Sequence, residues 1–298
     1  ADEDFVMVTG HVDSWGLGAL DNASGNACAV ELARILAPLA SDMRRSVRFV
    51  LWSGHSHGRY AGSTAWCDAH FEELERHCLL NVNSDCLGGR GATVMTESPA
   101  MASTRGLART ALREAAGVTD WRGCRFSRSC DQSFWGAGVP SIFSQVSEQP
   151  PFEGAAADAF GKMFGSGRTG GFGAWWHTRT DTPDKLDPEN LARDVRVFAS
   201  VLAHALFDER LPVDAAAEVL ELRDELKAWQ EKAGDSLDLS LRDSIFLLRL
   251  SRLRPARTIR SASKSVPAGC SPRSSRSPMS RARSTPMTRH CARRPCRC

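Results

Sequence analysis

Gly10-His11-Val12-Asp13-Ser14-Trp15-Gly16-Leu17-Gly18-Ala19-Leu20-Asp21-Asn22-Ala23-Ser24-Gly25 is the stretch around which the chain is arranged. The apolar run before it, Phe5-Val6-Met7-Val8, reads as a buried strand, and residues 23–36 after it read as a helix with Ser24 as its cap. His11, Asp13 and Asp21 therefore fall on a Gly-rich loop between a strand and a helix. Open α/β sheets place their sites at the carboxyl ends of such strands. A polar turn closed by an Asp or Asn would look the same locally, so the functional reading depends on whether the chain repeats the pattern.

It does. Residues 47–52 are apolar at most positions and read as a strand, expected to be central. A polar loop, 53–62, carries His55, Ser56 and His57, and residues 63–77 read as one helix. The next strand, 78–84, is followed at once by Asp85. A helix is expected over 101–116, a short strand or loop over 126–132, and a strand over 138–143. Residues 150–173 are rich in glycine and lack a clear period, as in a long loop lying over a site. Helices follow over 191–206 and 215–232, and a last helical pattern begins at 243. The second of these is charged and carries Leu220, Leu222, Leu226 and Trp229 as its apolar positions, a candidate homodimer interface. Strands alternating with helices predict a layered α/β sandwich.

The chain has 298 residues, 42% of them hydrophobic, enough for one large α/β domain and a small appendage. It contains no run of 18 apolar residues, so no membrane-spanning helix is expected. It starts without Met and leads directly into a strand, which reads as an N-terminally truncated piece. The net charge of +3 conceals two different parts. Residues 251–298 hold 13 of the 38 basic residues and no acid, which leaves 25 basic against all 35 acidic residues in 1–250, a balance of −10. That Arg/Ser/Pro-rich tail lacks the apolar residues needed to offset its ordering entropy, and lacks aromatics for stacking on bases. It is read as a disordered end, with no nucleic-acid or membrane partner. The expected domains are a catalytic unit over 1–210, a helical appendage over 211–250 and the tail over 251–298. Of ten cysteines, Cys28, Cys67, Cys78, Cys86, Cys124 and Cys130 lie in the body, without C-x-x-C spacing. They read as small buried hydrophobes. Cysteine usage does not set the compartment, and the reading leans to the cytoplasm.

Collected by strand end, the polar residues are His11 and Asp21, then His55, Ser56 and His57, then Asp85. His177 follows in Trp175-Trp176-His177-Thr178-Arg179-Thr180-Asp181-Thr182. Imidazoles and carboxylates converging on one sheet edge suit a borderline divalent ion, with zinc the first choice. A carboxylate has two oxygens and can bridge two ions.

On these residues the chain resembles metallopeptidase family 28, the co-catalytic zinc aminopeptidases and glutamate carboxypeptidases. The resemblance runs through Gly10-His11-Val12-Asp13-Ser14-Trp15, Asp21-Asn22-Ala23-Ser24-Gly25, Phe49-Val50-Leu51-Trp52, Gly62-Ser63-Thr64, Asn83-Ser84-Asp85, His177-Thr178, Asp181-Thr182 and Asp184-Lys185-Leu186. It implies a three-layer αβα sandwich with a mostly parallel mixed sheet, and one or two zinc ions. His11, Asp21 and Asp85 would hold one ion, with Asp21 bridging to a second that His177 also binds. The Asp21–Asn22 peptide would be cis. Asp13 would orient His11 through its other ring nitrogen, and Asp181 would brace the loop carrying His177.

One departure stands out. The family carries two adjacent glutamates three and four residues after the tryptophan of the second strand: the general base, then a ligand of the second ion. Counted from Trp52, those places hold His55 and Ser56. Three readings follow. Either His55 or His57 completes a metal site, or His55 is a base beside a single ion held by His11, Asp21 and Asp85, or the domain binds without catalysis. Together the residues read as a zinc-dependent exopeptidase-like hydrolase of peptide or amide bonds, with His55 as base and His57 beside it. A non-peptidase metalloenzyme such as an amidase, cyclase or lyase is the alternative, or a non-catalytic scaffold. Asp131, Gln132, Arg128 and Trp176 are the candidate substrate contacts. Arg125, Arg59, Tyr60, Trp15, Trp135 and Trp175 are further ones.

Overall fold

The computed structural model of the chain describes residues 4–125, 133–151, 153–155, 158–159, 162 and 171–239. Four strands, β1 (Phe5–His11), β2 (Ser46–Trp52), β3 (Cys78–Asn83) and β4 (Ser141–Ile142), form a parallel sheet in the order β2-β1-β3-β4. All seven residues of β1 are buried, as expected of a strand paired on both sides and covered on both faces. Its side chains alternate between two cores. Val6 and Val8 join Leu80, Val82 and Ile142 on one face, under helices α1 (Gly25–Leu36), α4 (Arg105–Ala116) and α5 (Pro188–Phe207). Phe5 and Met7 join Trp52, Cys67, Leu74 and Phe134 on the other, under α2 (Ala61–Ala69) and α3 (Phe71–His77). The period of two along β1 thus builds an α/β sandwich with helices on both faces.

The structure departs from the predicted elements in several places. β2 is not central: it is an edge of the described sheet and half-exposed along most of its length. An apolar run reports burial on two faces and says nothing of whether both hydrogen-bonding edges are filled. The helix expected over 63–77 is two helices, broken at His70, whose φ of −122° is not helical. Ser24 does not cap α1. Its hydroxyl donates to the Leu20 carbonyl at 2.7 Å, and the Gly25 N–H is taken instead by the Asn22 side chain at 3.1 Å. The wide turn Ala19–Ser24 has already used the residues that would precede a conventional cap. The strand expected over 138–143 shrinks to Ser141–Ile142.

Two later helices do carry side-chain caps. Asp187 accepts from the Glu189 and Asn190 N–H groups ahead of α5, with Pro188 in its first turn. Asp214 does the same for α6 (Ala215–Ala233). No residue of α6 is buried, and Leu220, Leu222 and Trp229 remain exposed. Polar contacts hold this helix: Glu218 accepts from the N–H and hydroxyl of Ser103, and Glu221 pairs with Arg105. Cys28, Cys67, Cys78 and Cys86 are buried thiols. The helical pattern from 243 and the tail lie outside the described residues. Among the described residues, no helix is long and apolar enough to cross a membrane.

Candidate metal centre

β1 delivers His11 to the carboxyl edge of the sheet. Its Nδ1 lies 2.8 Å from the Asp13 carbonyl oxygen, which can only accept, so Nδ1 carries the proton and Nε2 faces the site. Asp21 Oδ1 stands 2.9 Å from that Nε2, and Asp85 Oδ2 stands 3.5 Å from it. The second oxygen of Asp21 is 2.9 Å from His177 Nε2. Four residues from three loops thus meet around the Asp21 carboxylate.

Each arm is fixed by its own local chemistry. Asp181 accepts from the Leu20 and Asp21 N–H groups at 2.8 and 3.0 Å, so it braces the Asp21 turn as well as standing on the His177 segment. The Asp21–Asn22 peptide is cis. Asn22 donates to the Ser84 carbonyl at 3.0 Å, tying the turn to the end of β3. Gly25 is required at this junction, because a Cβ there would sit 2.2 Å from Asn22 Oδ1 and 2.4 Å from the Ser84 oxygen. Behind Asp85, the fully buried Asp194 of α5 accepts from the Gly88 N–H and the Ser147 hydroxyl, anchoring the loop after β3.

The loop after β2 packs against this cluster through His55. The His55 ring lies on the His11 ring, with centroids 3.9 Å apart and planes within 3°. Tyr60 meets its edge at 4.7 Å. The Asp13 carboxylate does not orient His11 directly: it lies 3.8 Å from Nδ1 and instead accepts from the His55 and Ser56 N–H groups at 3.0 and 2.8 Å. Burial opposes its ionisation, but those two N–H donors hold its carboxyl below the usual range. Asp13 thus orients His11 through its main chain and the facing loop through its side chain.

The electrostatics of the cluster favour a cation. Burial alone would lower the basicity of His11, yet Asp85 and Asp21 push it up to about 11. Burial likewise opposes ionisation of Asp21, and contacts with His11 and His177 drive it well below the usual carboxylate range. Cys86, also at the end of β3, is pushed up by burial and then by Asp85 and Asp21. His11 Nε2 and Asp85 Oδ1 are buried without a hydrogen-bond partner, so the 2.9 Å approach of Asp21 to Nε2 lacks hydrogen-bond alignment. Unsatisfied, convergent nitrogen and carboxylate donors fit a divalent ion such as zinc.

The sequence-derived candidates separate as follows. Asp21, Asp85, His55, His177 and Trp176 border one cleft of about 450 Å³, and His11, Asp13 and Asp181 contact its lining or its loops without lining it themselves. His57 is exposed outside the cleft lining, against Trp15 and the Ser14 carbonyl. Arg125 pairs with Glu225 at 3.0 Å, away from the cleft. Arg128, Asp131 and Gln132 lie outside the described residues. Cys86, which its sequence surroundings present as a buried hydrophobe, offers a sulfur within 4.8 Å of carboxylate oxygens from Asp21 and Asp85. Its position directly after Asp85 at a strand end was the available signal.

Replacing Asp181 with Asn sets an amide N–H₂ against one of two buried backbone donors. Zinc affinity is expected to fall about 10–100-fold, the range for lost supporting hydrogen bonds, as read by competition with a chromogenic chelator. Wild-type affinity in this variant would show that the brace is dispensable.

Fold and donor set together define a parallel-sheet α/β protein with a cation-ready cluster at the carboxyl edge of its sheet. More specifically, residues 1–202 match Peptidase family M28, and the chain belongs to that family. It is 24% identical to aminopeptidase YwaD of Bacillus subtilis over 213 residues, covering 70% of this chain and 43% of that one. It is 31% identical to carboxypeptidase Q of Rattus norvegicus over 80 residues, 26% of this chain and 17% of that one. Its fold is similar to that of BSAP, a zinc aminopeptidase from Bacillus subtilis, with a TM-score of 0.54 and 23% identity over 70% of this chain and 48% of that one. The chain therefore spans less than half the length of each.

Proposed function

We propose that this chain is the catalytic part of a zinc-dependent peptidase, with His11, Asp21 and Asp85 holding one ion and Asp21 and His177 available to a second. The observation that carries this reading is the convergence of unpartnered His11 Nε2 and Asp85 Oδ1 with Asp21, in a member of a peptidase family. Zinc in such a cluster supplies Lewis acidity, polarising a carbonyl and acidifying water.

His55 is assigned to proton transfer. His11, His55 and Asp85 offer donor atoms within 4.8 Å of one another, which on distance alone would suit a shared ion. The stack argues otherwise. An imidazole binds through a lone pair in its ring plane, about 2.0–2.1 Å from the metal. Two parallel rings with centroids 3.9 Å apart direct their lone pairs at separate points, so His55 and His11 do not share one ion. His55 instead accepts a proton from the water attacking the scissile carbonyl carbon and returns it to the leaving amine nitrogen, the role of a glutamate elsewhere in the family. Trp176 and Trp15 offer apolar walls for the substrate. The catalytic unit is residues 1–210.

The test is zinc content together with hydrolysis. The purified protein should retain zinc through dialysis, cleave short peptides and lose cleavage to a chelator reversibly. The replacement of the family's second glutamate by the neutral Ser56 favours a second reading, a non-peptidase or non-catalytic domain. Zinc retained without cleavage of any peptide would support that second reading, and absence of zinc would overturn the first.

A further inference from the structure

An exopeptidase must grip one free end of its substrate, an ammonium or a carboxylate, and the cleft wall differs sharply in what it offers each. Among the described residues, the only carboxylates lining the cleft are Asp21 and Asp85, and both face the histidines of the donor cluster. No lining acid is left over for an ammonium. Two lining side chains are cations outside that cluster, Arg59 and Lys162.

Arg59 is the better placed. Its guanidinium carbon lies 4.8 Å from the centre of the Tyr60 ring, and that ring meets His55 at 4.7 Å. The guanidinium is therefore within the length of two or three extended residues, at about 3.5 Å each, of the proton-transfer group. Arg59 and Tyr60 both have positive φ, 51° and 67°, a conformation that side chains rarely adopt in succession. The turn that imposes it is closed by Tyr60 N–H to the His55 carbonyl, Ala61 to Gly54 and Gly62 to Ser53, each 3.1 Å. Tyr60 is buried by this turn while Arg59 is left exposed at the cleft. The cleft lining also includes Phe172 and Trp176, whose rings pack at 5.3 Å.

We propose that Arg59 is the specificity-determining residue of the cleft, pairing with the free α-carboxylate of a peptide whose C-terminal side chain lies on the Phe172–Trp176 wall. The polarity of the enzyme is then that of a carboxypeptidase. This rests on the cleft being the active site, and its test separates the two claims.

Binding is read from the fluorescence of Trp15 and Trp176 in the zinc-loaded protein, without turnover, using N-acetyl-phenylalanine and its amide as probes. The acid should bind at least ~10-fold more tightly than the amide, the scale of one charge-assisted pair. Arg59→Leu should abolish that difference and Arg59→Lys restore part of it. With N-acyl dipeptides, the loss in Arg59→Leu should fall in KM rather than kcat. Equal binding of acid and amide, a preference that survives Arg59→Leu, or preferential binding of phenylalaninamide through its free ammonium would each overturn the proposal. An acid preference without cleavage of any peptide would leave this inference standing and remove the hydrolase reading.

Discussion

Asp21→Asn is expected to strip the protein of zinc and activity together. One carboxylate touches both imidazoles, Oδ1 against His11 and Oδ2 against His177, each at 2.9 Å. Asparagine keeps the volume but removes the charge, and its N–H₂ faces one of the two nitrogens as a donor. Whatever second ion the site takes loses its bridge in the same step. Zinc measured after dialysis should fall to less than about a tenth of the wild-type content, and kcat/KM by at least ~10³-fold, or about 4 kcal/mol. Because Asn22 and Asp181 hold the turn mainly through neighbouring groups, thermal unfolding of the metal-free variant should stay close to that of the metal-free parent. Wild-type zinc content in Asp21→Asn would remove Asp21 from the site.

His55→Ala separates proton transfer from metal binding. It leaves His11, Asp21 and Asp85 untouched, and under the proposed assignment His55, stacked parallel on His11, lies outside the coordination of the ion they would hold. Turnover should therefore fall about 10²–10⁴-fold, the range for a lost general base, while bound zinc is retained. His55→Glu, which places a carboxylate where the family has one, should recover more of the turnover than alanine does. If His55→Ala loses zinc as readily as Asp21→Asn, then His55 is a ligand. Unchanged turnover would mean that the proton goes elsewhere.

The sheet and two arms of the candidate site were legible because β1 and β3 each run directly into a functional residue. Phe5–Val8 leading to His11, and 78–84 leading to Asp85, put the residues where the sheet presents them. Three features were not legible, each for a physical reason. The edge position of β2 depends on which backbone edges find partners, and side-chain polarity does not encode that. The two-sided use of Asp13 depends on main-chain direction, since its carbonyl turns to His11 while its carboxylate turns to His55 and Ser56. His55 and His57 are chemically identical and two residues apart, so only the turn closed on Gly54 and His55 decides that one stacks on His11 and the other faces Ser14.

The brace from Asp181 has a consequence for how the protein comes into being. It bonds to Leu20 and Asp21 across 161 and 160 positions of sequence. Contacts that span such a separation close late, after the intervening chain has already lost its freedom. On a ribosome, His11 and Asp21 emerge before the segment around Asp181, and the cluster they form stays unbraced until that segment has been synthesised and has docked. A nascent chain arrested before that segment has neither His177 nor the carboxylate that orders the Asp21 turn. Firm zinc retention is thus expected to distinguish a finished domain from an interrupted one.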